Sequence, residues 1–248
     1  MAAEPLRELS AVVRSEWGKA WSVPAAVLWL GIAVVIALVT AMTLANDVVH
    51  AVSTGELPPG TRTPVSEVLG PVVSFAQIAV AGFALHLVTP EYAAGSIGPV
   101  FLATPRRWMV VAAKTAVAGA VAATLGAVLG PVSALLADVV LGSHAGAPVP
   151  VAEASAGAAG VFAAAALVAV GLGFLCRSAV GALSAAFVLL VVTLAAPDTA
   201  GRWLPGPAGA AFVSGTADLS RPFALAVLAT WSAATLGLAV WTVTRRDA

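Results

Sequence analysis

Charge is what this sequence has least of. Only 10% of its 248 residues are Asp, Glu, Lys or Arg, whereas 60% are hydrophobic and the mean hydropathy is +0.99. A soluble domain carries about a quarter charged residues, so a water-facing globular fold is excluded. The 12 basic and 12 acidic residues cancel, leaving no basic excess to attract nucleic acid. Cysteine is nearly absent too: Cys176 stands alone, which rules out an intrachain disulfide and a thiolate metal cluster and leaves it reading as a small apolar residue near a helix end. The three histidines, His50, His86 and His144, lie far apart with no H-E-x-x-H, so no metal site is expected.

Catalytic motifs are missing as well. A phosphate-cradling G-x-x-x-x-G-K-[ST] loop is absent: Ala20 follows Lys19, and Ala113 precedes Lys114. No G-x-S-x-G elbow occurs, and "FVSG" around Ser214 has Phe where a glycine would be needed. An enzyme is therefore not expected, and no cofactor is expected on this chain. Lys19 and Lys114 are the only two lysines; with abundant Ala, Val and Gly they hint at a GC-rich bacterial genome.

What is present is a series of apolar runs. Each crossing of a hydrocarbon core of about 30 Å takes about 20 residues. The runs at about 23–46, 68–88, 108–136, 154–175, 179–196 and 222–243 give a single all-α domain, residues 23–248, with six spans. The first run is too long for a secretory signal core and is preceded by mixed-charge sequence. Before it, in residues 1–22, Leu6, Leu9, Val13, Trp17 and Trp21 recur at steps of 3 and 4, with Arg7, Glu8, Arg14, Ser15 and Lys19 on the other side. This pattern reads as an amphipathic helix lying along the bilayer, or as a docking helix. Gly126 and Gly130 form a G-x-x-x-G that permits close helix approach, and Pro131 follows with an expected kink. The segment 197–221 is either a re-entrant element or a surface loop.

Loop charge orients the spans. Arg7, Arg14, Lys19, Arg106, Arg107, Lys114, Arg177, Arg245 and Arg246 fall on one side, which places both termini in the cytoplasm by the positive-inside rule. Arg62, Arg202 and Arg221 share the other side with seven acids. Within the spans, Gln77 and His86 are the polar candidates for a pathway, although a structural role facing a neighbouring helix suits each better.

The densest charge lies in "EYAAGSIGPVFLATPRRWMVVAAK", Glu91 to Lys114. A short helix over Glu91–Ala103 is expected, presenting Tyr92, Ile97, Val100 and Phe101, with Thr104 and Pro105 breaking it and Arg106, Arg107 and Trp108 marking re-entry into the membrane. Such a segment is either a lever rigidly joined to two spans or a basic anchor that only sets topology.

This stretch, with "SEWGKAWSVPAAVLWL" at Ser15 to Leu30 and the closing "RRDA", resembles bacterial ATP-binding-cassette permeases of the type-2 exporter class. The matching positions are Glu91, Tyr92, Gly95, Ile97, Pro105, Arg106, Arg107 and Lys114, and in the entry helix Glu16, Trp17 and Lys19. Gly98 and Pro99 depart from the family, which usually has a basic residue there, and are expected to interrupt the helix. The resemblance implies a multi-pass permease in a bacterial cytoplasmic membrane, pairing with a second copy or a paralogue. It also implies that the segment after Glu91 docks a separate ATP-binding subunit, which carries the ATP and Mg. Without the resemblance, an ATP-independent secondary transporter or a membrane assembly factor are the competing readings.

Overall fold

The computed structural model describes residues 3–104, 106–215 and 219–245. All its regular elements are helical. The first helix, α1 (Ala3–Trp21), stops where Val23 precedes Pro24: the proline ring forces Val23 into extended backbone, φ −127° and ψ 137°, and then starts α2 (Pro24–Ser53) from its first position. Next come α3 (Val65–His86), two short helices α4 (Thr89–Ala93) and α5 (Ile97–Ala103), α6 (Trp108–Leu141) and α7 (Val151–Cys176). The chain continues through α8 (Ala179–Leu190), α9 (Asp198–Gly201), α10 (Pro205–Ser214) and α11 (Arg221–Arg245).

Five of these helices, α2, α3, α6 with its short 3-10 extension, α7 and α11, are long and apolar enough to cross a membrane, and the chain is a multi-pass membrane protein. The fifth expected span, 179–196, differs. It is the 12-residue α8, about 18 Å long, followed by a 3-10 turn at Val192–Ala195. The other expected bounds shift by a few residues, mostly outward and furthest at the end of α2, where Asp47 and His50 stay in the helix. The segment 197–221 is not a plain surface loop. Its α10, begun by Pro205 and ended by Gly215 at φ 66°, buries Pro205, Gly206, Ala208, Gly209 and Val213 against the bundle.

Packing follows membrane rather than soluble rules. On α2 the buried stripe is Ala26, Ala33, Ala37, Ala41 and Ala45, whereas Val27, Leu28, Val35, Val39 and Met42 are exposed. Lipid is as apolar as leucine, so what the interior selects is smallness, which lets backbones approach. The central helix α3 is buried on nearly all sides. A Cβ at its Gly82 would stand 2.5 Å from the Trp29 ring, so α2 docks by laying that ring on the glycine.

The G-x-x-x-G acts as expected. A Cβ on Gly126 would lie 2.5 Å from the Ala158 carbonyl oxygen, and one on Gly130 would collide with that of Ala154. Pro131 has no N–H, so the carbonyl of Ala127 loses its helical donor. The Ser155 hydroxyl of α7 donates to that carbonyl at 2.9 Å and so binds the two helices at the break. Gly171 of α7 similarly receives α11, a Cβ there lying 2.7 Å from Thr235 Cβ.

These contacts set expectations for thermal unfolding in detergent. Gly126→Leu forces side-chain atoms into backbone that has nowhere to move, at a cost of about 1–3 kcal/mol, and lowers the melting temperature. Ser155→Ala costs about 0.6–1 kcal/mol. Gly237→Ala, whose Cβ would meet nothing within 4 Å, leaves the melting temperature unchanged or raises it.

Candidate functional site

Four charged side chains converge where α1, α4 and α6 meet. Lys114, only 1% exposed, donates from Nζ to Glu16 Oε2 at 2.7 Å and to the Leu87 carbonyl at 2.6 Å, and lies 3.0 Å from Glu91 Oε1. Lys19 bridges the same two acids, 2.6 Å from Glu16 Oε1 and 2.9 Å from Glu91 Oε1. Both lysines of the chain and two of its 12 acids are thus spent on one neutral cluster. The Leu87 carbonyl belongs to the end of α3, where carbonyls lack helical donors and a cation is favourable.

Burial of Glu16 rotates α1 away from its expected orientation. Its inward stripe is Leu9, Val13, Glu16 and Ala20, whereas Trp17 and Trp21 are 47% and 40% exposed. Hydrophobicity alone would bury the tryptophans, but Lys114 cannot stay buried without a carboxylate, so the glutamate takes the inner face. Lys19 sits at the rim. Burial pushes its pKa down, but hydrogen bonds to Glu16 and Glu91 more than compensate, and the net shift is upward.

The expected helix over Glu91–Ala103 is two helices. The break falls at Ala94–Ser96, where Gly95 takes φ 66°, and not at Gly98 and Pro99, which lie in the first turn of α5, where the proline removes no helical bond. Ile97 and Phe101 are not presented outward; both are 6% exposed and pack into the core. The outward side carries Ala93, Ala94, Gly95, Pro99, Ala103 and Leu102, the last 84% exposed.

Around this hairpin, other side chains fasten it to distant helices. The ring of Tyr92 meets Phe174 of α7 edge-on at 6.2 Å, and the Arg177 guanidinium lies 5.6 Å above it. Arg177 takes φ 53°, a left-handed conformation rare outside glycine, at the end of α7. Burial raises the Tyr92 pKa, partly opposed by Arg177 and reinforced by Glu91. Arg107 stacks over Phe101 at 5.3 Å and donates to the Val243 carbonyl near the end of α11 at 3.2 Å. Arg106 pairs with Glu8 of α1 at 3.5 Å, both well exposed. Pro105 lies outside the described residues.

Gln77 and His86 are not part of this cluster. Gln77 is buried and its amide donates to the carbonyls of Ser74 and Leu190, each at 3.1 Å, closing the end of the short α8. His86 is half-buried at the last position of α3. A cavity of about 520 Å³ opens at another place, beside α9 and α10, lined by Leu194, Thr199, Arg202, Ala210 and Ser214 among others. Among the described residues no His, Cys, Asp and Glu group could hold a metal ion.

Sequence reasoning counted Lys114 among the basic residues of the cytoplasmic side and missed its partnership with Glu16. The signal was there: a lysine two turns inside an apolar helix needs a partner.

Lys114→Met leaves two carboxylates without their buried cation and costs about 3–5 kcal/mol. Lys19→Met at the exposed rim costs about 1 kcal/mol or less. Because the Lys19 pKa is raised, its contribution is complete below the ordinary lysine value of 10.5 and is lost only as pH climbs through the higher folded value. The gap in melting temperature between wild type and Lys19→Met is therefore flat from about pH 6 to 9 and narrows only in strong alkali. No model of a known protein family matches the chain, and no curated protein matches it.

Proposed function

We propose that the chain is the membrane permease subunit of an ATP-binding-cassette exporter, with α4 and α5 as the segment that receives force from a separate ATP-hydrolysing subunit. The observation that carries this reading is the buried four-charge cluster. It joins the entry helix, the α4–α5 hairpin and the start of α6 into one stiff body, so a push on the hairpin moves α2, α3 and α6 together. A topological anchor needs only exposed arginines; it does not need a neutral cluster whose inner lysine is closed to water.

Both termini and the hairpin lie in the cytoplasm in this reading, on the arginine-rich side. α8 and its 3-10 extension rise together about 26 Å, and with α10 folded back over their end they make the sixth crossing. The partner rests on the outward side of the hairpin, with Leu102, 84% exposed, as its apolar anchor. Two copies, or this chain and a paralogue, form the transport pathway between them. The two conformations of the cycle differ in how tightly the ATP-bound partner grips the hairpin, since only differential binding shifts such an equilibrium.

Isolation of the chain from its native membrane in mild detergent, with ATP hydrolysis measured on the product, tests the reading. A stoichiometric ATP-binding partner is expected. Leu102→Asp weakens its retention about tenfold or more without lowering the melting temperature, and Glu91→Ala retains the partner but loses substrate-stimulated hydrolysis. A chain that purifies alone and without ATPase activity overturns the proposal and favours an ATP-independent transporter or an assembly factor.

A further inference from the structure

An apolar groove of about 350 Å³ runs between α1 and α6, walled by Trp17, Trp21 and Leu30 and floored by Ala120, Val121, Thr124, Leu125 and Val128. Its polar content is nearly nil, the one hydroxyl, on Thr124, being turned back to the Ala120 carbonyl at 2.8 Å. From Ala120 to Val128 the floor extends about 12 Å along α6. Trp17 and Trp21 meet edge-on at 5.6 Å and form a rigid wall. They are exposed because Glu16 and Ala20 occupy the inner face of the same helix.

The exposed face of α1 carries more than the two rings. At seven-residue steps, Arg7, Arg14 and Trp21 share one stripe, with Trp17 one turn beyond Arg14. Both arginines are exposed, and among the described residues neither forms an ion pair. By contrast, the charges on the inner side of α1 are closed into the neutral cluster. The groove thus leads, along one helix face, from an apolar slot within a membrane helix to two uncompensated cations.

We propose that this groove is a binding site for an anionic phospholipid, one acyl chain lying between Trp17, Trp21 and α6 while the headgroup phosphate meets Arg14, with Arg7 adding long-range attraction. The ligand needs both parts: a second protein helix would bury Arg14 against apolar residues, and a zwitterionic lipid would gain little from the arginines.

The test uses the delipidated full-length chain and native mass spectrometry, titrated with dioleoyl phosphatidylglycerol and, separately, dioleoyl phosphatidylcholine. Wild type is expected to retain one phosphatidylglycerol per chain with about tenfold preference over phosphatidylcholine. Arg14→Gln reduces the preference severalfold yet keeps acyl binding. Thr124→Trp, at an exposed position lining the groove whose hydroxyl bonds only within its own helix, removes tight binding of both lipids; its melting temperature confirms the fold. Phosphatidylglycerol brominated on its acyl chains quenches wild-type tryptophan fluorescence, and the Trp17→Phe, Trp21→Phe double variant loses most of that quenching. Equal retention of the two lipids by wild type, retention undiminished in Thr124→Trp, or a dimer in lipid-free detergent that Thr124→Trp dissociates, would each overturn the assignment.

Discussion

A buried lysine must be answered. Lys114 sits in an otherwise apolar helix at 1% exposure, where an ammonium without a partner would cost several kcal/mol. Two carboxylates and a helix-end carbonyl answer it at 2.6–3.0 Å. Everything at this end of the bundle is arranged to bring those oxygens in: α1 turns Glu16 inward at the expense of its tryptophans, and α4 begins within two residues of α3 so that Glu91 returns to face α6.

That convergence depends on how closely the helices lie. Alanine at the buried positions of α2 and glycine at Gly82, Gly126, Gly130 and Gly171 bring backbones within contact across α2, α3, α6, α7 and α11. Larger residues would hold the axes apart, and the short lysine–glutamate distances could not all be met. The same closeness lets one helix repair another. Ser155 supplies the donor that Pro131 removes, and Gln77 satisfies the carbonyl at which α8 stops short. In hydrocarbon no water could do either.

The sequence disclosed what depends on hydropathy along one element, and concealed what depends on pairing between elements. The apolar runs marked α2, α3, α6, α7 and α11 because a membrane crossing is a local property of length and composition. The 179–196 run reads as one unbroken helix, since nothing in its composition announces the turn after Leu190; the carbonyl at that end is met by Gln77, 113 positions earlier. The periodicity of α1 was visible but its rotation was not, because the charge that pulls Glu16 inward lies on α6. In the hairpin, Glu91 and the arginines stood out as charges in a sparse background. Ile97 and Phe101 were expected on the presented side and instead face the core, since apolar side chains read alike in both settings.

The cluster is also built with a particular redundancy. Lys19 and Lys114 each span Glu16 and Glu91, so losing either lysine leaves the two acids still bridged. Connectivity is duplicated but energy is not. Lys19 stands at the rim, where water screens and replaces it, while Lys114 alone neutralises the side of the cluster closed to solvent and alone reaches the end of α3. A force that strains this junction therefore opens it from the Lys19 side first, where water can solvate the separating charges. The junction is thus weaker at its solvated edge than at its buried one, and the buried edge is what holds α1, α4 and α6 together.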